Sequence, residues 1–493
     1  MTTTGDVEIV INDGGAGVVS VPSSSVQVII GPCQSGTLNT VFASRDANAI
    51  RASLGSGPTV EYAGAAVSVG ATALIVPSGT TTSGVTRTVT KTGTGTSVMT
   101  ATGSPLDTYY VTVKIVKGST VGTTGALLSI SLDAGRTFGP DIALGTAVTL
   151  VLSGTGITLN FATGFVQAGD TYQFGTSEPR SSTSDIQAAM LALDASPYSS
   201  NGWGSLHIIG SFSGAQASAL QTFAEALTGT KTFTRVIISA RDAIEPAPWN
   251  TSTETESAWS TALGTDFSAV SAKRVSCGAG HYNILSVYPV SAAGLPVYRR
   301  PGTWAYAMRQ VTIEPQTHAG RVSDRGLASI IIDPTNDPLD GFIYHDERTS
   351  PSLNGLRFVT FRKRKGKGGF FVVNPNLMSP AGSTFTLLPL GNVMDIGCSL
   401  LHQTGEEYIN SDVKLNKNGT IDEAAAQVIE SAVRGVLRDQ MLAKNMISSF
   451  TFGIDRTRNI LANNSAKFLC TVYSRGYLLQ IDVEIGFGPV SGG

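Results

Sequence analysis

SGAQASALQTFAEALTGTKTFTRVIIS, residues 213–239, contains the helix–strand unit that decides the fold class of this chain. Ser213 stands where a helix N-cap is expected, directly before an amphipathic run. The apolar residues that repeat at helical spacing along this run are Leu220, Phe223 and Leu227. Arg235–Ser239 then follows as a short apolar strand. A strand that follows a helix at this distance is typical of an α/β domain.

The same alternation extends from this stretch in both directions. Ser44 is the predicted N-cap of the first helix, and Ser184 begins a capping box before the next helix after the interruption at 78–178. The predicted helices are Arg45–Leu54, Pro58–Gly70, one from Ser184 through Leu193, and Thr253–Leu263, and the predicted strands are Val26–Gly31, Ala73–Pro77, Leu206–Ile209 and Arg274–Gly278. Residues 18–77 and 179–327 are therefore predicted to form an α/β body with a mainly parallel sheet.

Residues 78–178 differ in composition from both of their neighbours. Thr, Gly, Ser and Val dominate, and Gly-containing turns separate short strands. The predicted strands are Tyr109–Val116, Leu127–Leu132, Val148–Leu152 and Thr171–Phe174. We expect an all-β outer domain inserted into the α/β body.

Residues 328–476 are predicted to form an α+β assembly domain. Leu356–Arg362 and Gly369–Val373 are expected to form a hairpin, and Ala466–Ser474 is expected to be a strand. A long helix is predicted over Ile421–Ile447, with Thr420 and Glu423 as its capping box. The apolar stripe expected on this helix consists of Val428, Ile429, Ala432, Val436, Leu437 and Met441.

Each end of the chain is predicted to be an extended β arm. Residues 1–17 form the N-terminal arm, in which a short alternating strand precedes a Gly-rich leash, and residues 477–493 form the C-terminal arm, with the strand Tyr477–Phe487. The residues expected to add strands between subunits are Val7, Ile9, Ile11, Leu479, Ile481, Val483 and Ile485. A lone terminal strand needs a sheet to join, either in its own subunit or in a neighbour.

Charge and cysteine content exclude several classes of function. Only 14% of the 493 residues are charged, and the formal net charge is −2, so a chain committed to nucleic acid is not indicated. Cys33, Cys277, Cys398 and Cys470 lack Cys-x-x-Cys spacing, which argues against a zinc site or a disulfide framework. The N-terminus lacks the features of a signal peptide, and the apolar runs are too short to cross a bilayer. We expect a cytoplasmic origin and no insertion into membranes.

The motifs associated with catalysis or cofactors are incomplete. Gly15–Ser20 begins like a dinucleotide fingerprint but opens no helix, and Gly210–Gly214 has Phe212 where a nucleophile elbow requires Ser. We therefore expect no enzyme activity and no cofactor. The histidines, which show no paired spacing and are not expected to be ligands, are His207, His281, His318, His345 and His402.

Two charged clusters leave more than one interpretation open. Asp333, Asp337, Asp340, His345, Asp346 and Glu347 form an acidic cluster that suits either turns or a metal, although the spacing is not that of an EF-hand. The basic run consists of Arg362, Lys363, Arg364, Lys365 and Lys367. As a hairpin tip it suits a solvated loop. The alternative, an electrostatic contact with an inner tube or an adjacent subunit, is implied only by the family resemblance described next.

The order of these elements resembles the contractile tail sheath family of bacteriophages and related injection systems. Four features carry the resemblance, which covers most of the chain apart from the insertion. They are the isolated strand Val7–Ile11 before its leash, the segment Val28–Pro32 through Leu54-Gly55 to Ala73–Val76, the run Arg299–Ala305 ahead of the hairpin at Gly369–Val373, and the helix Ile421–Ile447 before a terminal strand.

The resemblance implies a structural role. Sheath subunits stack as hexameric rings around an inner tail tube protein, exchange terminal strands, and contract to drive the tube through an envelope. It also implies baseplate and tail terminator proteins as partners, and a place in the virion tail after assembly in the host bacterial cytoplasm. An alternative from the composition is a carbohydrate-binding or adhesive surface protein that uses the Thr/Gly-rich domain, which would require exposed aromatic platforms in residues 78–178.

Overall fold

The computed structural model describes residues 25–199, 205–289, 295–327, 329–330 and 341–479. The chain divides into two compact units, Met1–Asp412 and Val413–Gly493. Of the predicted strand-adding residues, Val7, Ile9, Ile11, Ile481, Val483 and Ile485 lie outside the described residues. The mixed α/β class predicted from the sequence is confirmed.

The first unit begins with strands and helices in alternation. They are β1 (Val26–Gly31), β2 (Phe42–Ser44), α1 (Ala47–Leu54), α2 (Pro58–Ser68) and β3 (Thr72–Pro77). The N-cap of α1 is Asp46 and not the predicted Ser44, which ends β2. The Asp46 carboxylate accepts a hydrogen bond from the Asn48 amide at 2.9 Å, which satisfies one of the unpaired amides of the first turn.

Residues 78–178 contain strands and turns but no helix, as the composition predicts. The strands are β4 (Val85–Thr86), β5 (Thr90–Thr92), β6 (Met99–Gly103), β7 (Tyr110–Lys117), β8 (Ser119–Thr120), β9 (Leu127–Ser131), β10 (Ile142–Ala143), β11 (Thr149–Leu152), β12 (Ile157–Phe161), β13 (Phe165–Val166) and β14 (Thr171–Ser177). The larger sheet has the order β10-β9-β7-β14-β4, and a smaller one has the order β11-β12-β6. Alternate residues of both sheets, among them Val113, Leu159 and Tyr172, form a separate core.

Alternation of helix and strand then resumes. The elements are α3 (Thr183–Asp194), β15 (Ser205–Phe212), α4 (Gly214–Gly229), β16 (Arg235–Ala240), α5 (Glu256–Asp266) and β17 (Val275–Gly278). The predicted cap of α4 is confirmed: Ser213 and Gln216 form a reciprocal capping box. Helix α3 is capped by Ser182 and not by Ser184, because Ser182 lies three residues before Asp185, whose carboxylate accepts the Ser182 amide in return.

A single six-stranded sheet joins the segments on either side of the insertion. Its strand order is β17-β16-β15-β1-β3-β2, and all neighbouring pairs are parallel except β2 with β3. In the central pair, Val28 lies beside Leu206 and Ile30 beside Ile208. The central strands are buried on both faces, which explains their continuous apolar runs.

The last part of the first unit packs onto this sheet. It contains β18 (His281–Leu285), β19 (Val297–Pro301), α6 (Gly302–Thr312), β20 (Phe361–Lys363), β21 (Phe370–Val372) and α7 (Leu388–Glu406). Helix α7 was not predicted from the sequence. Its Asp395 pairs with Arg235 on β16 at 2.8 Å and with Arg274 at 3.1 Å, so residues up to 412 belong to the first unit. The division between the two compact units therefore falls after Asp412.

Buried ion pairs attach the inserted domain to the body. Both oxygens of Asp107, in the insertion, accept hydrogen bonds from Arg300 on β19 at 2.5 Å. Arg87, also in the insertion, pairs with Glu245 at 2.8 Å. Because Asp107 and Arg300 are both buried, the two charges depend on each other.

The second unit is a helix on a two-stranded sheet. Its elements are α8 (Glu423–Leu437), which continues as a π-helical turn over Arg438–Leu442, then β22 (Ile447–Ile454), α9 (Ile460–Asn463) and β23 (Phe468–Ser474). The predicted helix therefore ends before Ile447, which begins a strand. Its N-cap is Asp422 and not Thr420. Val428, predicted in the apolar stripe, is 66% exposed, because the buried face passes through Ile429, Val433 and Leu437.

β23 pairs in antiparallel register with β22. Residues 475–479 form no strand, and the remainder of the predicted strand lies outside the described residues. The sheet of this unit is therefore built from segments on both sides of α9.

Replacing Asp107 with Asn should destabilise the joint between insertion and body. The change removes the carboxylate that is hydrogen-bonded to the buried Arg300, and breaking a buried pair in this way typically costs about 3–5 kcal/mol. Thermal unfolding of D107N would show the loss as a lower midpoint. D141N, which removes an exposed carboxylate from the same insertion, is the matched control and should leave the midpoint unchanged. An unchanged midpoint in D107N would contradict the proposed role of the pair.

Candidate functional site

One face of the β22–β23 sheet packs against α8. Phe452 lies opposite Cys470, and Phe450 lies opposite Val472. Phe452 and Val472 are buried, as is Ile454. Because side chains alternate along a strand, these residues share one face, and α8 packs against β22 there.

The opposite face of the sheet is open and partly apolar. Leu469 is 50% exposed and lies opposite Gly453, which has no side chain to cover it. Tyr473 is 49% exposed and lies opposite Ser449. Leu479, one of the predicted strand-adding residues, is 61% exposed just beyond the sheet. Large apolar side chains in this arrangement suit a surface that another chain covers.

The two edges of this sheet are not equivalent. On β22, the outward-facing carbonyl of Phe452 accepts hydrogen bonds from the Arg434 guanidinium at 2.6 and 3.0 Å. The outward amide of Ile454 donates to Glu430 Oε1 at 2.8 Å. Side chains of α8 therefore occupy two outward backbone groups of the β22 edge, in the way that natural sheets protect an edge from pairing.

The β23 edge has no such cover in the described part of the chain. In an antiparallel pair, a residue opposite one with outward backbone groups also has outward groups. The residues opposite Ile454, Phe452 and Phe450 are Phe468, Cys470 and Val472. No backbone partner is present for this edge among the described residues. The open strand is therefore β23.

Arg456 fixes the helix on the sheet. Its guanidinium lies 2.6 Å from Glu430 and 2.8 Å from Glu423, both on α8. Hydrogen bonds from Arg456, with one from Gln427, lower the pKa of Glu423 to about 2. Glu423 was predicted to complete a capping box with Thr420. It serves instead in this ion-pair cluster, because Thr420 bonds to Asn418.

The predicted basic cluster forms the tip of the β20–β21 hairpin in the first unit. Lys363, Lys365 and Lys367 are exposed, and Arg362 and Arg364 are half-buried. Lys363 lies over the Phe370 ring at 5.1 Å, and Arg364 over the Phe371 ring at 5.8 Å. Among the described residues, no carboxylate lies within ion-pair distance of any of the five. Burial and the neighbouring Arg362 lower the pKa of Arg364, as expected where positive charge is uncompensated.

The acidic cluster divides between described and undescribed residues. Asp333, Asp337 and Asp340 lie outside the described residues. Asp346 is a turn residue, since its carboxylate accepts the amides of Arg348 and Lys363 at 3.0 and 3.1 Å. In the described ranges, no group of three or more His, Cys, Asp or Glu side chains is arranged to hold a metal ion. Within the same ranges, none of the helices is both long and apolar enough to span a bilayer.

Comparison with known proteins identifies the fold. The family model described as DUF2586, N-terminal domain, matches residues 4–376, and no curated protein matches the sequence. A chain of the anti-feeding prophage (AFP) baseplate, solved by cryo-EM with six-fold symmetrisation, is 6% identical with a TM-score of 0.50, over 99% of this chain and 100% of that chain. The resemblance to contractile sheath proteins predicted from the sequence is confirmed at the level of the fold.

Two further solved structures match over nearly the whole chain. The AFP helical sheath in its contracted state is 7% identical with a TM-score of 0.49, over 99% of both chains. The sheath tail protein from Desulfitobacterium hafniense is 10% identical with a TM-score of 0.46, over 95% of this chain and 100% of that chain.

The two faces of the β22–β23 sheet should respond differently to truncation. Phe452→Ala removes a buried ring and should destabilise the second unit by about 3–5 kcal/mol. Leu469→Ala removes an exposed side chain and should change its stability by less than about 0.5 kcal/mol. Amide hydrogen exchange across β22 and β23 in the monomeric protein measures both. Equal effects from the two variants would contradict the assignment of an open face.

Proposed function

The chain belongs to the DUF2586 family, and we propose that it is a structural subunit of a contractile tail sheath. In this proposal it polymerises as hexameric rings around an inner tail tube protein and contracts to drive that tube through a target envelope. The observation that carries the proposal is the open β23 edge beside a partly apolar face, in a chain whose ends are patterned as strands. The fold shared with an AFP baseplate chain supports it.

The occupant proposed for the β23 edge is a terminal strand from another copy of this chain. Backbone hydrogen bonds from such a strand would satisfy the outward groups of Phe468, Cys470 and Val472. The N-terminal strand with Val7, Ile9 and Ile11, on its Gly-rich leash, is the best candidate. The C-terminal arm, with Ile481, Val483 and Ile485, supplies a second strand. Such a strand is held mainly by main-chain hydrogen bonds. The rest of each subunit can therefore rotate without breaking the pairing.

The basic hairpin tip is proposed to bind an acidic surface of the inner tube or of an adjacent subunit. Its exposed lysines carry charge that no described carboxylate neutralises, and Phe370 and Phe371 hold the base of the hairpin in the fold. An uncompensated patch of this kind favours contact with an oppositely charged protein surface. Baseplate and tail terminator proteins are proposed as further partners. The proposed location is the virion tail, assembled in the host cytoplasm.

The role proposed is structural and not catalytic, and the adhesive alternative receives less support. Sugar-binding sites need exposed aromatic rings, but Tyr110, Phe161 and Phe174 of the inserted domain are buried. Phe165 is an exposed aromatic of that domain, at 41%. The aromatic residues of the insertion therefore mainly build its core.

Deletion of residues 1–13 should abolish tube formation, because the open edge then loses its incoming strand. Negative-stain electron microscopy of the purified protein measures the outcome. Normal tubes from the truncated protein would contradict strand exchange through the N-terminal arm. They would be the expected result if that strand paired only within its own subunit.

A pair of substitutions at Cys470 tests the edge itself. Cys470→Pro removes an outward-facing amide and obstructs pairing at the β23 edge, but leaves the bonds to β22 in place. Cys470→Ala also loses the thiol but keeps the amide, so it is the matched control. The proline variant should fail to form tubes while the alanine variant assembles normally.

Neutralising the exposed lysines of the tip should weaken assembly with the tube most strongly at low salt. The variant is K363Q/K365Q/K367Q, which leaves the half-buried arginines in place. The Debye length is about 8 Å near physiological ionic strength, so salt screens charges at the protein surface. Binding of the wild-type protein to the tube should therefore weaken as salt rises, and binding of the variant should change less. Co-sedimentation with the inner tube protein across a salt series measures this effect.

K114Q/K117Q, on the inserted domain, removes exposed lysines elsewhere and is the control. If the tip variant and the control have the same salt dependence as wild type, the tip is a solvated loop.

A further inference from the structure

His345 is fully buried and lies between two carboxylates. Its Nδ1 is 2.8 Å from Glu256 Oε1, and its Nε2 is 2.8 Å from Glu347 Oε2. Glu256 is the first residue of α5, and Glu347 lies in the segment that leads to β20. Both ring nitrogens therefore contact acceptors on different parts of the fold.

The remaining carboxylate oxygens also accept hydrogen bonds. Glu347 Oε1 accepts the amides of Ser352 and Asn354 at 2.8 and 3.1 Å. Glu256 Oε2 accepts the hydroxyl of Ser350 at 3.1 Å. Amides can only donate, so a proton on Glu347 could sit only on the oxygen that faces His345.

The protonation state of the ring follows from this arrangement. A neutral imidazole donates from one nitrogen and presents a lone pair at the other. Between two ionised carboxylates at 2.8 Å, that lone pair would face a negative oxygen. Only the imidazolium ion donates to both, so the observed geometry is that of a charged ring.

We propose that His345 is a proton-dependent clamp, which holds residues 345–354 on α5 while its ring is charged and releases them when the ring loses its proton. The segment it holds supports the basic hairpin. The amide of Glu347 donates to the Phe361 carbonyl at 3.0 Å, and the Asp346 carboxylate accepts the Lys363 amide. Opening of the clamp therefore frees the outer side of β20. An effect of this release on sheath assembly rests on the proposed function, but the release of residues 345–354 from α5 does not.

The groups around His345 are of one sign or neutral. On α5 they are Glu256 and the Trp259 ring, 5.7 Å from the imidazole. Its own segment contributes Asp346 and Glu347, and on β18 the Tyr282 hydroxyl donates to the His345 backbone carbonyl. Among the described residues, no lysine or arginine lies within ion-pair distance of the Glu256 or Glu347 carboxylate. His345 is therefore the positive partner of both.

The clamp operates over a defined range of pH. Burial opposes charge on the ring, but the hydrogen bonds to Glu347 and Glu256 outweigh burial and raise the pKa of His345 above its ordinary value. Its stabilisation is therefore complete below about pH 6.5 and is lost as pH rises through the folded pKa. Burial would raise the pKa of Glu347, but hydrogen bonds from His345 and from the amides of Ser352 and Asn354 lower it. The stabilisation that ionised Glu347 contributes is therefore lost only as pH falls through this lowered pKa.

Hydrogen exchange of the full-length protein tests the clamp without reference to assembly. After correction for intrinsic exchange, protection of residues 345–354 should hold near pH 6 and then fall by up to about tenfold per pH unit above the folded pKa of His345. Protection that does not change with pH up to about pH 9 in the wild-type protein would overturn the proposal. This measurement needs no variant, so it stands even if a substituted protein fails to fold.

E347Q supplies the second arm. The glutamine can accept the Ser352 and Asn354 amides through its carbonyl and donate to an unprotonated His345 Nε2, so a neutral ring is satisfied on both sides. The fall in protection with pH should disappear in this variant. E406Q, which removes the exposed carboxylate 3.4 Å from His402, is the matched control and should retain the wild-type profile. Identical pH profiles for wild type and E347Q would contradict the clamp.

Discussion

The parallel pairing of β1 with β15 is the interaction on which the first unit depends. Val28–Ile30 lie beside Leu206–Ile208, so two segments separated by the whole inserted domain become neighbours at the centre of one sheet. The insertion must therefore begin and end close to the same edge of the body. Buried contacts such as Asp107 with Arg300 then fix its position at low conformational cost, because both ends are already placed.

Satisfaction of backbone groups governs the second unit in the same way. A two-stranded sheet has two edges, and an isolated one is marginally stable. Here α8 covers one face, and its side chains Arg434 and Glu430 also satisfy the β22 edge. Among the described residues, the outward backbone groups of β23 have no such partner. Under the proposed function, an incoming strand would be directed to the β23 edge, because side chains of α8 already occupy backbone groups of the β22 edge.

Sequence patterns predicted local features and failed where distant segments meet. Ser213 and the apolar strand Val26–Gly31 follow from spacing alone, because capping and burial act over a few residues. Helix α7 escaped prediction, since Gly391, Gly397 and Gly405 lower its helix propensity while Asp395 secures it through distant arginines. Alternation likewise shows that β23 is a strand, but not that β22 is one of its neighbours. The basic tip was predicted, whereas its lack of described carboxylate neighbours required coordinates.

The histidines show why position in the sequence could not reveal the clamp. His207 is buried beside the Tyr62 ring, and burial lowers its pKa to about 3. His281 is also buried, and although Asp242 opposes the effect, its pKa falls to about 4. His345 is equally inaccessible, yet two carboxylates reverse the direction of the shift. Burial alone removes charge from an imidazole, so a buried ring stays charged only where acceptors are supplied at both nitrogens. Glu256 and Glu347 supply these acceptors from different parts of the fold. The two parts therefore stay joined through His345 only while its ring is charged.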